Sequence, residues 1–361
     1  MKRKAPQIQF FLGTNSPKGF VSLYHQWANQ DHALAFYVLK GGPGCGKSTL
    51  MRRVAQNVEA AGFPVEYILC AGDPDSLDGI AIPKKRAALV DGTAPHSMDP
   101  AYPGVTGHYV DLSHGYDRPG LFAQRESIIA AAQAYRACYP KAYDCFAEAE
   151  RIRQHSQQIV RTHQTLEAAK ACADALLDRE VKKPQDRQGR RHLRFLSALT
   201  CQGRIILTET AAALCPRIYA IQDHCGLSHI LLQHLETGFL DRGHDVLSCP
   251  SPEHPDQLDH LLVPSLSLAF LTNPDPCSVP FRILQTEDWI EASVWSENRS
   301  FLDASRQSAE AQNQKGLRFL TEAKEKHDHL EALYQPYMDF SQNQDRAEQI
   351  AAEILALPDP G

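Results

Sequence analysis

The chain has 361 residues, 43% hydrophobic and 22% charged, which fits a globular protein and excludes an intrinsically disordered one. That length exceeds one ordinary core, so two domains are expected. The net charge of −6 excludes an overall basic field that would draw the chain to nucleic acid or anionic lipid, and the clusters Lys84-Lys85-Arg86 and Arg190-Arg191 read as solvated loops.

From the N-terminus, Phe11-Leu12-Gly13-Thr14 leads to Pro17-Lys18-Gly19 and a helix-like run from Val21 to Trp27. Ala35-Phe36-Tyr37-Val38-Leu39 predicts a short buried strand. Leu50, Met51, Val54 and Val58 then predict a helix with no breaker before Gly62. Between them stands Gly41-Gly42-Pro43-Gly44-Cys45-Gly46-Lys47-Ser48-Thr49, which fits G-x-x-x-x-G-K-[ST] from Gly41 to Ser48. A strand, a glycine-rich turn and a helix are the setting in which backbone N–H groups wrap a phosphate. Lys47 is expected at the β- and γ-phosphates and the Ser48 hydroxyl on Mg2+. Cys45 is the one thiol of ten that would lie beside bound phosphate.

The next strand, Val65–Cys70, runs into Asp73-Pro74-Asp75-Ser76-Leu77-Asp78-Gly79. Asp73 and Asp75 would then lie at the carboxyl end of the sheet, where one could orient water or accept a proton; the same residues equally suit turn chemistry. Ala87-Ala88-Leu89-Val90-Asp91 is an apolar strand ending in a carboxylate, the form of a Walker B motif, and Asp91 is expected to share Mg2+ with Ser48. Many hydrolysing ATPases carry a Glu directly after this Asp; here Gly92 follows, so a base must come from elsewhere or hydrolysis is slow. His96, on the loop leaving that strand, is a candidate γ-phosphate sensor or base, or a plain surface histidine. His108, Asp111, His114 and Asp117 have a metal-like spacing without helical or C-x-x-C geometry. A charged helical segment follows from about 121 to 182, broken near Tyr139-Pro140, and its apolar positions from Ile152 to Leu177 predict an antiparallel helical hairpin.

Past the polar linker Lys182–Arg190, the plan repeats. Phe195-Leu196-Ser197-Ala198 precedes an apolar run from Ile205 to Leu214, a strand at Arg217–Ile221 and the string Asp223-His224-Cys225-Gly226-Leu227-Ser228. Gly226 overlays Gly46, Ser228 overlays Ser48, and Leu227 falls where Lys47 stands. Cys249 to Val263-Pro264 overlays Cys70 to Ile82-Pro83, and Leu268–Thr272 overlays the strand that ends in Asp91, with Thr272 in place of the carboxylate. Losing both the cation and the magnesium ligand predicts a second half that no longer binds MgATP, though an arginine such as Arg217, Arg282 or Arg299 would be free to reach the live site. A last helical segment runs from about 298 to 357. The expected fold is α/β: two tandem P-loop NTPase-like domains, 1–183 active and 191–361 degenerate, each a parallel sheet flanked by helices with a helical extension.

No apolar run approaches the roughly 18–20 residues of a membrane span. The basic start Met1-Lys2-Arg3-Lys4 has no apolar stretch behind it, and the scattered cysteines form no C-x-x-C pair, which together predict a cytoplasmic protein. No guanine-reading Asn/Thr-Lys-x-Asp string occurs, so the nucleotide is expected to be ATP.

The strings Gly42–Thr49, Cys70–Gly79 and Asp91–His96 resemble a family of uncharacterised bacterial P-loop ATPases built as two tandem halves, and the resemblance covers nearly the whole chain. Some relatives resemble this chain closely but keep a P-loop in both halves, from which Leu227 departs. The resemblance implies architecture and no settled reaction. Three functions are therefore expected to compete. One is an ATPase that couples nucleotide state to movement of a half, of its helical hairpin or of a protein partner held there. The others are a small-molecule or nucleotide kinase and a non-catalytic nucleotide-gated interaction protein.

Overall fold

A computed structural model of the protein describes residues 7–27, 30–94, 97–274 and 281–359. His96 lies outside the described residues. The first half opens with β1 (Ile8–Phe11), the hairpin β2 (Gly13–Ser16) and β3 (Gly19–Ser22), and a one-turn helix α1 (Tyr24–Trp27). The run from Val21, predicted as helical throughout, thus begins as strand. Next come β4 (Ala35–Lys40), α2 (Lys47–Ala60), β5 (Glu66–Leu69), β6 (Leu77–Ile82), β7 (Ala87–Asp91) and β8 (Gly107–Asp111). Helices α3 (Arg118–Ala123), α4 (Arg125–Arg136), α5 (Cys138–Val160) and α6 (His163–Glu180) complete it.

The second half follows with β9 (Arg191–Leu193), the hairpin β10 (Ser197–Thr200) and β11 (Gly203–Ile206), α7 (Thr208–Leu214), β12 (Arg217–Gln222) and α8 (Ser228–Asp241). It ends with β13 (Val246–Pro250), β14 (Leu258–Val263), β15 (Leu268–Thr272), β16 (Arg282–Gln285), α9 (Ala292–Tyr334) and α10 (Asn343–Leu355).

The result is a mixed α/β fold with three sheets. The first has the order β1-β5-β6-β7-β4-β8 and the third the order β9-β13-β14-β15-β12-β16, the same order element for element. In both, only the third strand (β6 or β14) runs antiparallel to its neighbours. Both carry a register shift at the corresponding place, between Ile68 and Leu69 and between Cys249 and Pro250. Near-continuous apolar runs such as Phe36–Leu39 and Leu268–Leu271 suit strands covered on both faces.

The two hairpins build the middle sheet, β11-β10-β2-β3, in which β10 pairs with β2 antiparallel at Leu199 and Asn15. Beside it, Phe11 and Phe195 exchange both backbone hydrogen bonds at 2.9 Å, so the halves meet about a near-twofold relation.

The long helices do not stay with their own half. α6 lays Ala169, Ala173, Leu176 and Leu177 into the core that holds Leu231, Leu232, Leu235 and Phe239 of α8. α10 lays Ala347, Ile350, Ala351 and Ile354 into the core around Leu50, Met51, Val54 and Val58 of α2. α5 packs along α9 across the middle sheet, with Ala142 and Phe146 against Leu317 and Leu320. The hairpin expected over 121–182 is therefore replaced by crosswise pairing. Heptad-like spacing specifies an apolar stripe on each helix but not the partner that covers it. The break also differs: Pro140 sits inside the first turn of α5, where a proline costs little, and the turn comes at Thr162, whose hydroxyl caps α6 by accepting from the Thr165 N–H at 3.2 Å.

Candidate functional site

β4 ends at Lys40 and α2 begins at Lys47, so the glycine-rich stretch forms the turn between a buried strand and a helix N-terminus. Gly46 stands at the N-terminus of α2 with φ 86°, a left-handed conformation that glycine adopts without steric cost. β7 lies directly beside β4 in parallel, with Asp91 opposite Leu39, which carries the carboxylate to the foot of the loop.

Lys47 Nζ curls over its own loop. It donates to the carbonyls of Gly41 at 2.9 Å and Gly42 at 3.1 Å, lies 3.7 Å from Cys45 Sγ and faces Asp91 Oδ2 at 3.6 Å. Both charged side chains are mostly buried, at 13% and 14% exposure. Burial alone would lower the lysine's pKa, but Asp91, with Cys45 and Tyr116 adding to it, raises it above the ordinary value, so the ammonium is held charged. Burial pushes the Cys45 thiol up despite Lys47, so this cysteine is a protonated, unreactive lining group. Asp91 Oδ1 accepts from the Thr93 N–H at 2.9 Å and its hydroxyl at 2.6 Å. Ser48 Oγ accepts from the Leu77 N–H at 3.0 Å, which ties α2 to the start of β6, while Thr49 is exposed on the first turn.

The structure brings Gly41, Gly42, Pro43, Gly44, Cys45, Gly46, Lys47, Ser48 and Asp91 together and leaves Asp73 and Asp75 to other work. Asp73 accepts from Ser76 Oγ at 2.9 Å and the Asp75 N–H at 3.3 Å, and it faces Lys324 of α9 at 3.6 Å. Asp75 accepts from Gln202 at 3.1 Å. These are turn and inter-half contacts, the alternative that Asp-Pro and Ser carry in any sequence. His108 stacks on Tyr37, with centroids 4.8 Å apart. Asp117 caps α3 through the Gly120 N–H, so the 108–117 set does not converge on a metal. Among the described residues the trio with ligand atoms within 4.8 Å of one another is His327, Asp328 and Glu331 on α9.

The residues that sequence reasoning missed come from the far end of the chain. Glu331 Oε1 accepts the Gly44 N–H at 3.1 Å, Asn343 Nδ2 donates to the Cys45 carbonyl at 3.3 Å, and the Phe340 ring lies over Gly46. Tyr116, after β8, accepts the Gly42 N–H with its hydroxyl, and its ring faces Tyr334 at 6.4 Å. The arginine expected from the second half does not come from Arg217, which pairs with Glu180 at 3.0 Å, or from Arg282, whose guanidinium lies over Phe281. No local signal marks Glu331 or Asn343; only the length of α9 allows its C-terminal end to reach the first loop.

The second loop is built differently. Leu39 pairs with Asp91 and Ile221 with Thr272, which fixes the equivalence of the two strands. From there the first loop takes residues 40–45 to reach Gly46, whereas the second takes only 222–225 to reach Gly226. The shortened turn places Asp223 directly after β12, and its carboxylate fills the ring of amides. Oδ1 accepts from the N–H groups of Cys225 and Leu227 at 3.1 Å each, Oδ2 from that of Ser228 at 2.7 Å, and Thr286 adds its hydroxyl at 3.0 Å. Beyond this loop opens a cavity of about 760 Å³, whereas at Lys47 Glu331 and Asn343 close over the loop.

A family model described as Nephrocystin 3, N-terminal, matches residues 21–80, the stretch from β3 to β6 that contains the first loop. No curated protein and no solved structure matches the chain. No helix among the described residues is long and apolar enough to cross a membrane.

Proposed function

We propose that the protein is a P-loop ATPase of two tandem halves, with a single MgATP site at Lys47 and nucleotide binding coupled to movement of the α9 end. One observation carries this reading: a carboxylate, Glu331, already occupies the loop at the Gly44 amide, beside a lysine held charged by Asp91. Backbone N–H groups at a helix N-terminus that hold a carboxylate also suit a phosphate, which brings more charge and more acceptors. On this reading Lys47 releases the carbonyls of Gly41 and Gly42 and turns to the β- and γ-phosphates, while Ser48 and Asp91 hold Mg2+. Glu331 must then leave, and the residues from Glu331 to Asn343 move with it.

Slow turnover fits the strand end. A Cβ at Gly92 would collide with the Val38 side chain, so the position that holds a water-polarising Glu in many ATPases is closed to any side chain here. That observation favours, as the second reading, a nucleotide-gated interaction protein in which binding does the work. The kinase reading loses support, because Asp73 and Asp75 are engaged in their turn. The second half is read as silent, with Asp223 in the place of a phosphate.

The reading is tested by titrating the full chain with MgATP in a calorimeter while free phosphate is followed in a parallel assay. The expected stoichiometry is one ATP per chain; two sites, or none, would remove the proposal. Phosphate release distinguishes the ATPase from the gated binder. Glu331→Gln checks the coupling, since it leaves a neutral acceptor that is about 1 kcal/mol weaker than a charged one. ATP affinity is then expected to rise roughly fivefold, and an unchanged affinity would show that the carboxylate does not compete.

A further inference from the structure

The cavity of the second half has an unused set of polar groups. Its carboxylates are satisfied from within. Asp223 is spent on the loop amides, and Asp259 accepts from Arg204 at 2.7 Å and Ser197 at 2.9 Å. Glu253 accepts from Arg153 at 2.8 Å and from Asn313 Nδ2, and Glu150 from Gln154 at 2.7 Å and His254 Nε2 at 3.0 Å. Burial holds His254 neutral by lowering its pKa, so with Nε2 donating to Glu150 its Nδ1 is an acceptor.

What remains is unpaired. Arg318, at the mouth of the cavity, has no hydrogen-bond or ion-pair partner among the described residues. Arg153 Nη1 makes no hydrogen bond and has only Glu150 at 3.9 Å. Asn313 Oδ1, Thr272 Oγ1 and His254 Nδ1 are buried without a partner, and the Asn313 and Thr272 residues are each only 5% exposed. The orientation of the Asn313 amide is fixed by Glu253, which takes its NH₂, so the oxygen is left facing the space. Buried polar groups normally find partners, and five orphans lining one cavity specify what would satisfy them.

We infer that this cavity binds a small hydroxyl-rich molecule bearing one anionic group, a sugar phosphate or a sugar acid. The two arginines call for the anion. Asn313 Oδ1 and His254 Nδ1 accept only, so they call for hydroxyl donors, and Thr272 completes the set as donor or acceptor. A bare anion leaves the two acceptors unmet, and a neutral sugar leaves the arginines unmet. A triphosphate seated on the loop is excluded, because Asp223 holds the amides it would need. The volume of about 760 Å³ falls within the range of small-molecule sites.

The test uses the full chain and calorimetry with ribose 5-phosphate, glucose 6-phosphate and gluconate, with ribose and inorganic phosphate as the separate parts. At least one of the three is expected to bind one to one and more tightly than either part. Arg318→Gln, an exposed change, should weaken it about tenfold or more. Thr272→Val, which keeps the shape and removes the hydroxyl, should weaken the sugar compound about tenfold while leaving inorganic phosphate unchanged. Lys47→Ala should bind it as wild type does. The inference falls if none of the three binds, if inorganic phosphate binds as tightly as they do, or if Arg318→Gln binds unchanged. It also falls if binding disappears in Lys47→Ala, which would place the ligand at the first loop.

Discussion

Lys47→Ala is expected to weaken MgATP binding by about 10- to 150-fold, the value of one hydrogen bond to a charged group at about 1.5–3 kcal/mol. The size follows from the surroundings of the ammonium. Lys47 is mostly buried, and Asp91 stands 3.6 Å away. Its removal takes the cation from the phosphates and also leaves Asp91 uncompensated at a site that must accept further negative charge. Fold should be retained, because the ammonium donates only within its own loop, to the carbonyls of Gly41 and Gly42 and toward Cys45. Calorimetric titration beside a thermal melt separates the two effects. An affinity equal to wild type, with the melt unchanged, would mean that ATP binds elsewhere or not at all.

Ile354→Ala is expected to cost about 2–5 kcal/mol of stability, the usual range for truncating a large buried aliphatic side chain. Ile354 is fully buried, and with Ile350 it covers the α2 face formed by Leu50, Met51, Val54 and Val58. Glu348→Ala, on the exposed face of the same helix, should change stability by less than about 0.5 kcal/mol. The same geometry predicts that the fragment 1–183 will not fold alone, since α2 would lose α10 and α6 would lose α8. Chemical denaturation of the variants and the fragment measures both. A cooperative transition in the isolated fragment would show that the first half carries its own complete core.

The first loop was legible because every position that makes it is local: a buried strand, glycines at fixed offsets, Lys47 and a helix. Asp91 was legible because the strand that bears it had to lie beside the loop for the motif to make sense, and the register of β4 with β7 places it there. The repeat was legible in Leu227 and Thr272. The shortening of the second loop was hidden by an alignment anchored on Gly226, and with it the part played by Asp223, whose carboxylate reads as an ordinary turn former. The partners of the helices were not legible. Spacing says that Leu176 and Ile354 are buried, whereas the halves that bury them are chosen by tertiary packing. Glu331 and Asn343 reach the loop across nearly the whole length of the chain, and no pattern in their own neighbourhood announces it.

The crosswise placement of α6 and α10 has an evolutionary consequence. Two identical copies that had already traded their last helices would form a closed twofold dimer, and tying the end of one copy to the start of the next needs only a surface bridge such as Lys182–Arg190. Once tied, the copies are no longer bound to mutate in step. One can shed its lysine and fill its own anion hole with Asp223, while the other keeps Lys47 and borrows its cover, Glu331 and Asn343, from a neighbour that can never dissociate.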